Sequence, residues 1–409
     1  MDCVQNITPH IYWVGGGDRR LAQFENMFPL DNGVTYNAYV ILDEKTALVD
    51  TVDTSITRQF FENLHAVLAG RPLDYLVVNH MEPDHCANIE EICRVWPEVK
   101  IVGNPKTFQM IRQFYGMDPE GRTLEVQEGT ELPLGRHTLR FYMAPMVHWP
   151  EVMLTYETTE GILFSADAFG TFGGFTGNLF SDEVDYDSLY LDESRRYYTN
   201  IVGKYGSQVL AALGKVGGLR LALVCPLHGP VLRGGVIPML VEKYTRWASY
   251  RPEKAGVVLV YASMYGNTEA VVNRLAGMLS RRGVRDMRMF DVSKTHYSTI
   301  IANVFKYSHL VLASPTYNMH LYNGMDTFVA DMASLNVQNR GVAIIGNGSW
   351  APAAHTILQK RMDEMKNMQV IAEPLVIRSA IKPEQKAELQ SLADKLAASV
   401  HEQAPLLNG

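Results

Sequence analysis

The chain has 409 residues, 47% hydrophobic and 20% charged, with a formal net charge of −7. That length exceeds one ordinary domain, and the composition fits a globular protein of two or three. The negative charge argues against a general nucleic-acid binder, and no apolar run approaches the ~18 residues of a membrane span.

The opening MDCVQNITPHIYWVGGGDRR lacks the basic-then-apolar order of a signal peptide. Cys3, Cys86, Cys93 and Cys225 are scattered and form no Cys-x-x-Cys pair, which disfavours a zinc ribbon or a rubredoxin-type iron site in this chain. Such usage suits a reducing cytoplasm, so a cytoplasmic protein is expected.

In chain order, YVILDEKTALV (39–49) reads as a hairpin and ITRQFFENLHAVLAG as a helix stopping at Gly70. DYLVV is a buried strand delivering His80. TLRFYMAPMVHW, GILFSADAFG and RLALVCPLHGP repeat that form, each an apolar run ending in a His or Asp. Ligands at strand ends are held by a rigid sheet yet open onto a cleft. ASYRPEKAG (Ala248–Gly256) reads as a linker, dividing the chain into residues 1–250 and 251–409. Beyond it VVLVYAS, MRMFDVS, HLVLASPTY, GVAIIGNGS and QVIAEPLVI are strands separated by helical segments. That alternation predicts a doubly wound parallel sheet.

VVNHMEPDHCAN (77–88) packs His80, Glu82, Asp84 and His85 into six residues. On an extended loop, alternate side chains of this run converge on one side. His148, Asp167 and His228 stand at the ends of later strands. Any one of them alone is more simply a hydrogen-bonded structural residue. Together, four imidazoles and three carboxylates are too many for one metal and suit two. A carboxylate at Glu82 makes the shell harder and more anionic, favouring iron or manganese over zinc and redox chemistry over hydrolysis.

In the second half, SMYGNTE supplies a hydroxyl-rich turn (Ser263, Met264, Tyr265, Gly266, Asn267, Thr268) leading into a helix. Such a turn suits a phosphate; a helix start capped by Asn267 or Thr268 is the alternative. SPTYNMHLYNG, with Pro315, Thr316, Tyr317 and Asn318, leaves the third strand, and GNGSWAP, with Gly348, Ser349 and Trp350, leaves the fourth. In a flavodoxin-like sheet these three loops surround the crevice where a flavin lies. Tyr317 and Trp350 are candidates to flank its ring, with ordinary packing as the alternative.

The order His-x-Glu-x-Asp-His, then His148, Asp167 and His228, resembles the metallo-β-lactamase-like hydrolases over about residues 30–230, except at Glu82. Residues 255–400 look like a short-chain flavodoxin, with Ser263 and Tyr265 in the hydroxyl positions of its phosphate loop. Together with TYNAY, MVHWP and PLHGP, the two halves resemble the flavodiiron proteins (A-type flavoproteins) over almost the whole chain. The resemblance implies an N-terminal αββα sandwich followed by a flavodoxin-like sheet. It implies FMN and a non-haem di-iron centre that reduces dioxygen to water, or nitric oxide to nitrous oxide. His80, Glu82, His148 and Asp167 would hold one iron; Asp84, His85, Asp167 and His228 the other, with Asp167 bridging and His85 the ligand that varies among relatives. Tyr198 or Trp149 would donate a supporting hydrogen bond. The same resemblance implies an external electron donor, a rubredoxin-like protein or a soluble reduced cofactor. It also implies a head-to-tail homodimer, with a dimer of dimers as the larger assembly. Glu25 stands where many relatives have a histidine beside the pocket. A zinc hydrolase fused to a flavodoxin and a non-catalytic electron carrier are the competing readings.

Overall fold

The computed structural model describes residues 2–407, which form two compact units meeting between Thr245 and Arg246. In the first unit one sheet holds β1 (Gln5–Asn6), β2 (Ile11–Trp13), β3 (Tyr39–Ile41), β4 (Ala47–Val49), β5 (Tyr75–Val77), β6 (Lys100–Gly103) and β7 (Thr123–Glu125), in that spatial order. Strands β1 to β4 pair antiparallel, and β4 to β7 parallel. A second sheet holds β8 (Glu131–Pro133), β9 (Thr138–Met143), β10 (Met153–Glu157), β11 (Ile162–Phe164), β12 (Leu223–Cys225) and β13 (Leu232–Arg233), again in chain order. All its pairs are antiparallel except β11–β12.

One core joins the two sheets: Trp13, Tyr39, Ile41 and Val77 of the first lie in the same cluster as Phe141, Met153, Phe164 and Cys225 of the second. The strand-end loops, which carry the polar residues, are thereby anchored to a shared apolar layer. The predicted 39–49 hairpin is β3–β4, in register Tyr39 to Val49. The helix after it spans Thr57–Leu68 and stops at a left-handed Ala69, one residue before the expected Gly70.

The second unit is a sheet of β14 (Lys254–Tyr261), β15 (Met287–Asp291), β16 (Tyr307–Tyr317), β17 (Arg340–Asn347), β18 (Met368–Val370) and β19 (Leu375–Ile377). Its order is β15-β14-β16-β17-β18, with β19 also on β17, and every one of these pairs is parallel. This is the flavodoxin-type order, with a switch point between β14 and β16.

Two local expectations change. QVIAEPLVI is two strands rather than one. Pro374 lacks an N–H for the ladder, and after the Ile371 N–H bond to the Val342 carbonyl the chain leaves β17 over 372–374 before rejoining it. The Ala248–Gly256 connection is shorter than its composition suggests: a helix runs Val236–Ala248 and β14 begins at Lys254. Gly256 lies in that strand, where a Cβ would come within 2.4 Å of the Asp286 carbonyl oxygen, so the position requires glycine rather than marking a linker. Among the described residues no helix is long and apolar enough to cross a membrane.

Candidate metal centre and flavin pocket

The seven predicted ligands stand on four loops of the first unit. After β5 the chain is fixed by the wholly buried Asp50 carboxylate. It accepts the Asn79 backbone N–H at 2.7 Å, the Asn79 side-chain amide at 2.8 Å and the His80 N–H at 3.3 Å. Glu82 is still extended, but Pro83 starts a helical turn, Pro83–Cys86. The expected extended loop is therefore only half right. The turn swings Asp84 and His85 away from His80 and Glu82, dividing the motif between two groups. His148 comes from the β9–β10 loop, Asp167 follows β11 and His228 follows β12.

The groups are His80, Glu82, His148 and Asp167, and Asp84, His85 and His228; within each, the ligand atoms lie within 4.8 Å of one another. Asp167 reaches both. Its Oδ2 lies 3.3 Å from His80 Nε2 and 3.2 Å from His148 Nε2, and its Oδ1 lies 3.2 Å from His85 Nε2 and 3.6 Å from His228 Nε2. Glu82 Oε2 completes the first group at 3.2 Å from His80 and 3.0 Å from His148. Asp84 Oδ2 completes the second, 3.3 Å from both His85 and His228. The outer ring nitrogens are anchored: His80 Nδ1 meets Glu151 Oε1 at 2.8 Å, and His228 Nδ1 meets the Thr35 carbonyl at 2.7 Å. Anchoring Nδ1 leaves Nε2 as the inward-facing donor.

A cation pair fits this arrangement. Among the described residues both Asp84 oxygens, Asp167 Oδ1 and His85 Nδ1 are buried without a hydrogen-bond partner, although the ring nitrogens stand close by. Buried polar atoms are almost always paired, and bound cations would satisfy the carboxylates here. Carboxylate oxygens mixed with imidazole nitrogens, and no thiolate, suit iron.

Of the supporting residues, the Trp149 ring meets His80 edge-to-face at 5.4 Å and stacks on Phe114. Tyr198 instead packs on Tyr244, and its neighbour Tyr197 lies 5.4 Å from His228. Residues 198–202 form a wider π-type turn after the Leu191–Tyr197 helix, an irregularity that RRYYTN does not announce. Tyr197 is buried, and its hydroxyl has no hydrogen-bond partner among the described residues. Glu151 and Asp50 also escaped the sequence reading; Glu151 lies three residues after His148, and no spacing rule marks it.

Electrostatically the cluster is strongly coupled. Burial opposes charge on His80, but Asp167 first, then Glu151 and Glu82, outweigh it and hold the imidazole well above its usual range. Burial likewise opposes ionisation of Asp167, yet His85 and His80 keep it far below the carboxylate range. His148, also buried, is raised to about 9 by Asp167 and Glu82. Glu25, on a tight turn with φ 51°, is pushed to about 8 by burial and then by the adjacent Glu82.

In the second unit a cleft of about 430 Å³ lies between the three predicted loops. Every predicted flavin residue lines it except Gly266. Gly266 precedes the Asn267–Arg281 helix with φ 84°, and its N–H donates to Ser263 Oγ at 3.1 Å. Gly266, rather than Asn267 or Thr268, therefore holds the N-cap position, and Ser263 Oγ, from three residues before it, also accepts the Glu269 N–H at 3.3 Å. Thr316 Oγ1 accepts the Ala353 and Ala354 N–H groups at 2.9 and 3.1 Å, tying the second loop to the third. Asn347 was missed. It lines the cleft, donates to Thr268 Oγ1 and the Ser379 carbonyl, and keeps a buried Oδ1 without a hydrogen-bond partner among the described residues. Among the described residues the lining carries no charged side chain, so a phosphate there meets neutral N–H and O–H donors at a helix N-terminus.

These shifts predict how metal removal behaves. His148 at about 9 and Glu25 at about 8 both exceed their ordinary 6.5 and 4.5, so the folded metal-free protein binds more protons than the unfolded chain. Their contribution is fully present only below those ordinary values and declines as pH rises through the folded ones. Calorimetry of chelator-treated protein is expected to show the unfolding midpoint falling between pH 6.5 and 9, with iron-loaded protein far less affected. A midpoint that rises over that window would contradict this coupling.

Two family models match the chain: the ODP family beta lactamase over residues 34–229 and flavodoxin over residues 259–387. The chain is 32% identical over 371 residues to a nitric oxide reductase of Moorella thermoacetica, covering 90% of this chain and 91% of that one. It is 30% identical over 364 residues to an anaerobic nitric oxide reductase flavorubredoxin of Escherichia coli, covering 88% and 75%. The rubredoxin oxygen:oxidoreductase of the anaerobe Desulfovibrio gigas superposes with a TM-score of 0.92 at 26% identity, covering 98% and 99%. A flavodiiron protein of Giardia intestinalis shares the fold at the same TM-score of 0.92 and 23% identity, covering 99% of each chain. The chain belongs to the flavodiiron proteins, a family of oxidoreductases that carry FMN and a non-haem di-iron centre.

Proposed function

We propose that this chain reduces dioxygen to water, nitric oxide to nitrous oxide, or both, with His80, Glu82, His148, Asp167, Asp84, His85 and His228 as the iron ligands. The observation that carries this reading is Asp167, whose two oxygens face two separate imidazole groups with Glu82 in the first. When bound, an iron pair supplies neighbouring open positions and a change of valence, and FMN relays electrons to it from an external donor.

The chain's own residues do the rest. Asp167 fixes the separation of the two groups. The rigid Nδ1 contacts of His80 and His228 hold the donors in place without reorganisation. Both reductions consume protons. Tyr197 is a buried phenol kept protonated by burial and by the nearby carboxylates, Asp167 foremost. Its free hydroxyl can donate a hydrogen bond toward a small diatomic next to His228. His85 converges with Asp84 and His228, which supports its assignment as a ligand here. In the second unit Tyr317 and Trp350 are exposed beside the cleft, available to flank the isoalloxazine.

The donor is proposed to be a rubredoxin-like protein or a soluble reduced cofactor; the printed name of the Desulfovibrio gigas relative supports the former. A head-to-tail dimer is proposed to set the flavin loops of one chain against the metal pocket of its partner. The unusual exposure of Tyr265 (90%) and Trp350 (84%) beside the cleft supports burial of that rim.

Protein purified without added metal is expected to contain an iron pair and FMN, and, once reduced, to consume oxygen or nitric oxide in stopped flow. Zinc in place of iron, or indifference to both gases, overturns the assignment. Tyr197→Phe removes only a hydroxyl; it is expected to slow turnover by about 10-fold or more at unchanged iron content. An unaltered rate would remove Tyr197 from the mechanism. Sedimentation should find a dimer at assay concentrations, and a monomer with full turnover would exclude the head-to-tail arrangement.

A further inference from the structure

Glu151 is completely buried, and its carboxylate is used unevenly. Oε1 alone accepts two bonds, from His80 Nδ1 and from the Met81 backbone N–H, both at 2.8 Å. Oε2 is buried without a hydrogen-bond partner among the described residues. His80 is the ion-pair partner found for it there, at the same 2.8 Å. The backbone on either side is fixed independently: Asn104 Nδ2 donates to the Glu151 carbonyl at 2.6 Å, and Asp50 holds Asn79 and His80.

A neutral amide oxygen would accept the same two N–H groups without the desolvation cost of a buried charge. Hydrogen bonding alone therefore does not account for a carboxylate at this position. What the carboxylate adds is a negative charge that reaches the metal pocket through one imidazole. A carboxylate on the outer nitrogen makes the inner nitrogen a stronger donor, and a nearby anion favours the more highly charged state of a metal.

We propose that Glu151 is a positioning residue that acts through His80: it fixes the ring's tautomer and tilt, tightens metal binding there, and lowers the reduction potential of the iron pair. The proposal rests on the reading of His80 as an iron ligand. The Glu151→Gln variant isolates the charge, because an amide can keep Oε1 and both its bonds while its nitrogen takes the place of the unpaired Oε2.

The test uses the full chain with flavin bound, comparing wild type, Glu151→Gln and Glu151→Ala. Iron content and affinity are measured by chelator competition, and the midpoint potential of the iron site by a spectroelectrochemical titration at one pH. Glu151→Gln is expected to retain the iron pair with affinity weakened about 10- to 100-fold and a more positive midpoint. Glu151→Ala, lacking the anchor as well, should bind more weakly still. Wild-type affinity and potential in Glu151→Gln overturn the proposal, whether or not Glu151→Ala folds. A wild-type protein that binds no iron overturns instead the assignment of His80 and its neighbours, independently of Glu151.

Discussion

Everything in the first unit is arranged around one buried carboxylate. Asp167 is 1% exposed and lies within 3.6 Å of four imidazole nitrogens, two on each of its oxygens. Isolating such a charge from water is expensive, and a protein tolerates it only when the surroundings are fixed and the charge is met. The two sheets provide the fixing. Strands β5, β11 and β12 and the β9–β10 loop each end at this point, and behind them the shared core of Trp13, Phe141 and Phe164 leaves little room for the loops to relax. Rigid strands holding ligands at their ends convert a costly cluster of charges into a preorganised cation site.

The second unit solves a different problem with different chemistry. Its cleft lies at the ends of β14, β16 and β17, where the strand order reverses and the loops splay apart. Among the described residues no charged side chain lines it. Thr316 and Asn347 knit the three loops together, and Ser263 orders the first loop internally, by hydrogen bonds that would otherwise have to form when a cofactor arrives. Prior ordering of the loops reduces the entropy lost on binding.

How much of this was legible in the sequence depends on what each residue needs. The two clusters of candidate ligands were legible because a motif of strand, His and carboxylate depends on type and spacing, and those survive in a one-dimensional string. The parallel order of the second sheet was legible for a similar reason, since βα alternation leaves few topologies open. Glu151 and Asp50 were not, because a carboxylate that grips another loop's backbone has no fixed sequence offset. Tyr197 was passed over for its neighbour because RRYYTN holds two adjacent tyrosines, and type alone does not say which ring faces His228. The helical turn at Pro83 was missed although proline at a helix start is an ordinary signal; the alternation of His80, Glu82 and Asp84 suggested an extended chain more strongly. Asn347 was passed over because its importance lies in a bond to Thr268, 79 positions away.

The substitution that first set this chain apart, a carboxylate at position 82, gains meaning from the charge balance of the whole centre. Glu82, Asp84 and Asp167 face the metal groups directly, and Glu151 stands behind His80, so four carboxylates surround the space between the imidazoles. Two divalent cations bring that sum close to zero. With a histidine in place of Glu82 the same pair would carry a net positive charge inside a low-dielectric pocket, which favours the reduced state and a softer metal. With Glu82 the balance leaves room for a further positive charge, as a metal acquires on oxidation. Glu25, held next to Glu82, is pushed toward its neutral form in the metal-free pocket by burial and by that neighbour, so the two carboxyls share one negative charge until cations enter. The anionic shell thus serves a change of valence.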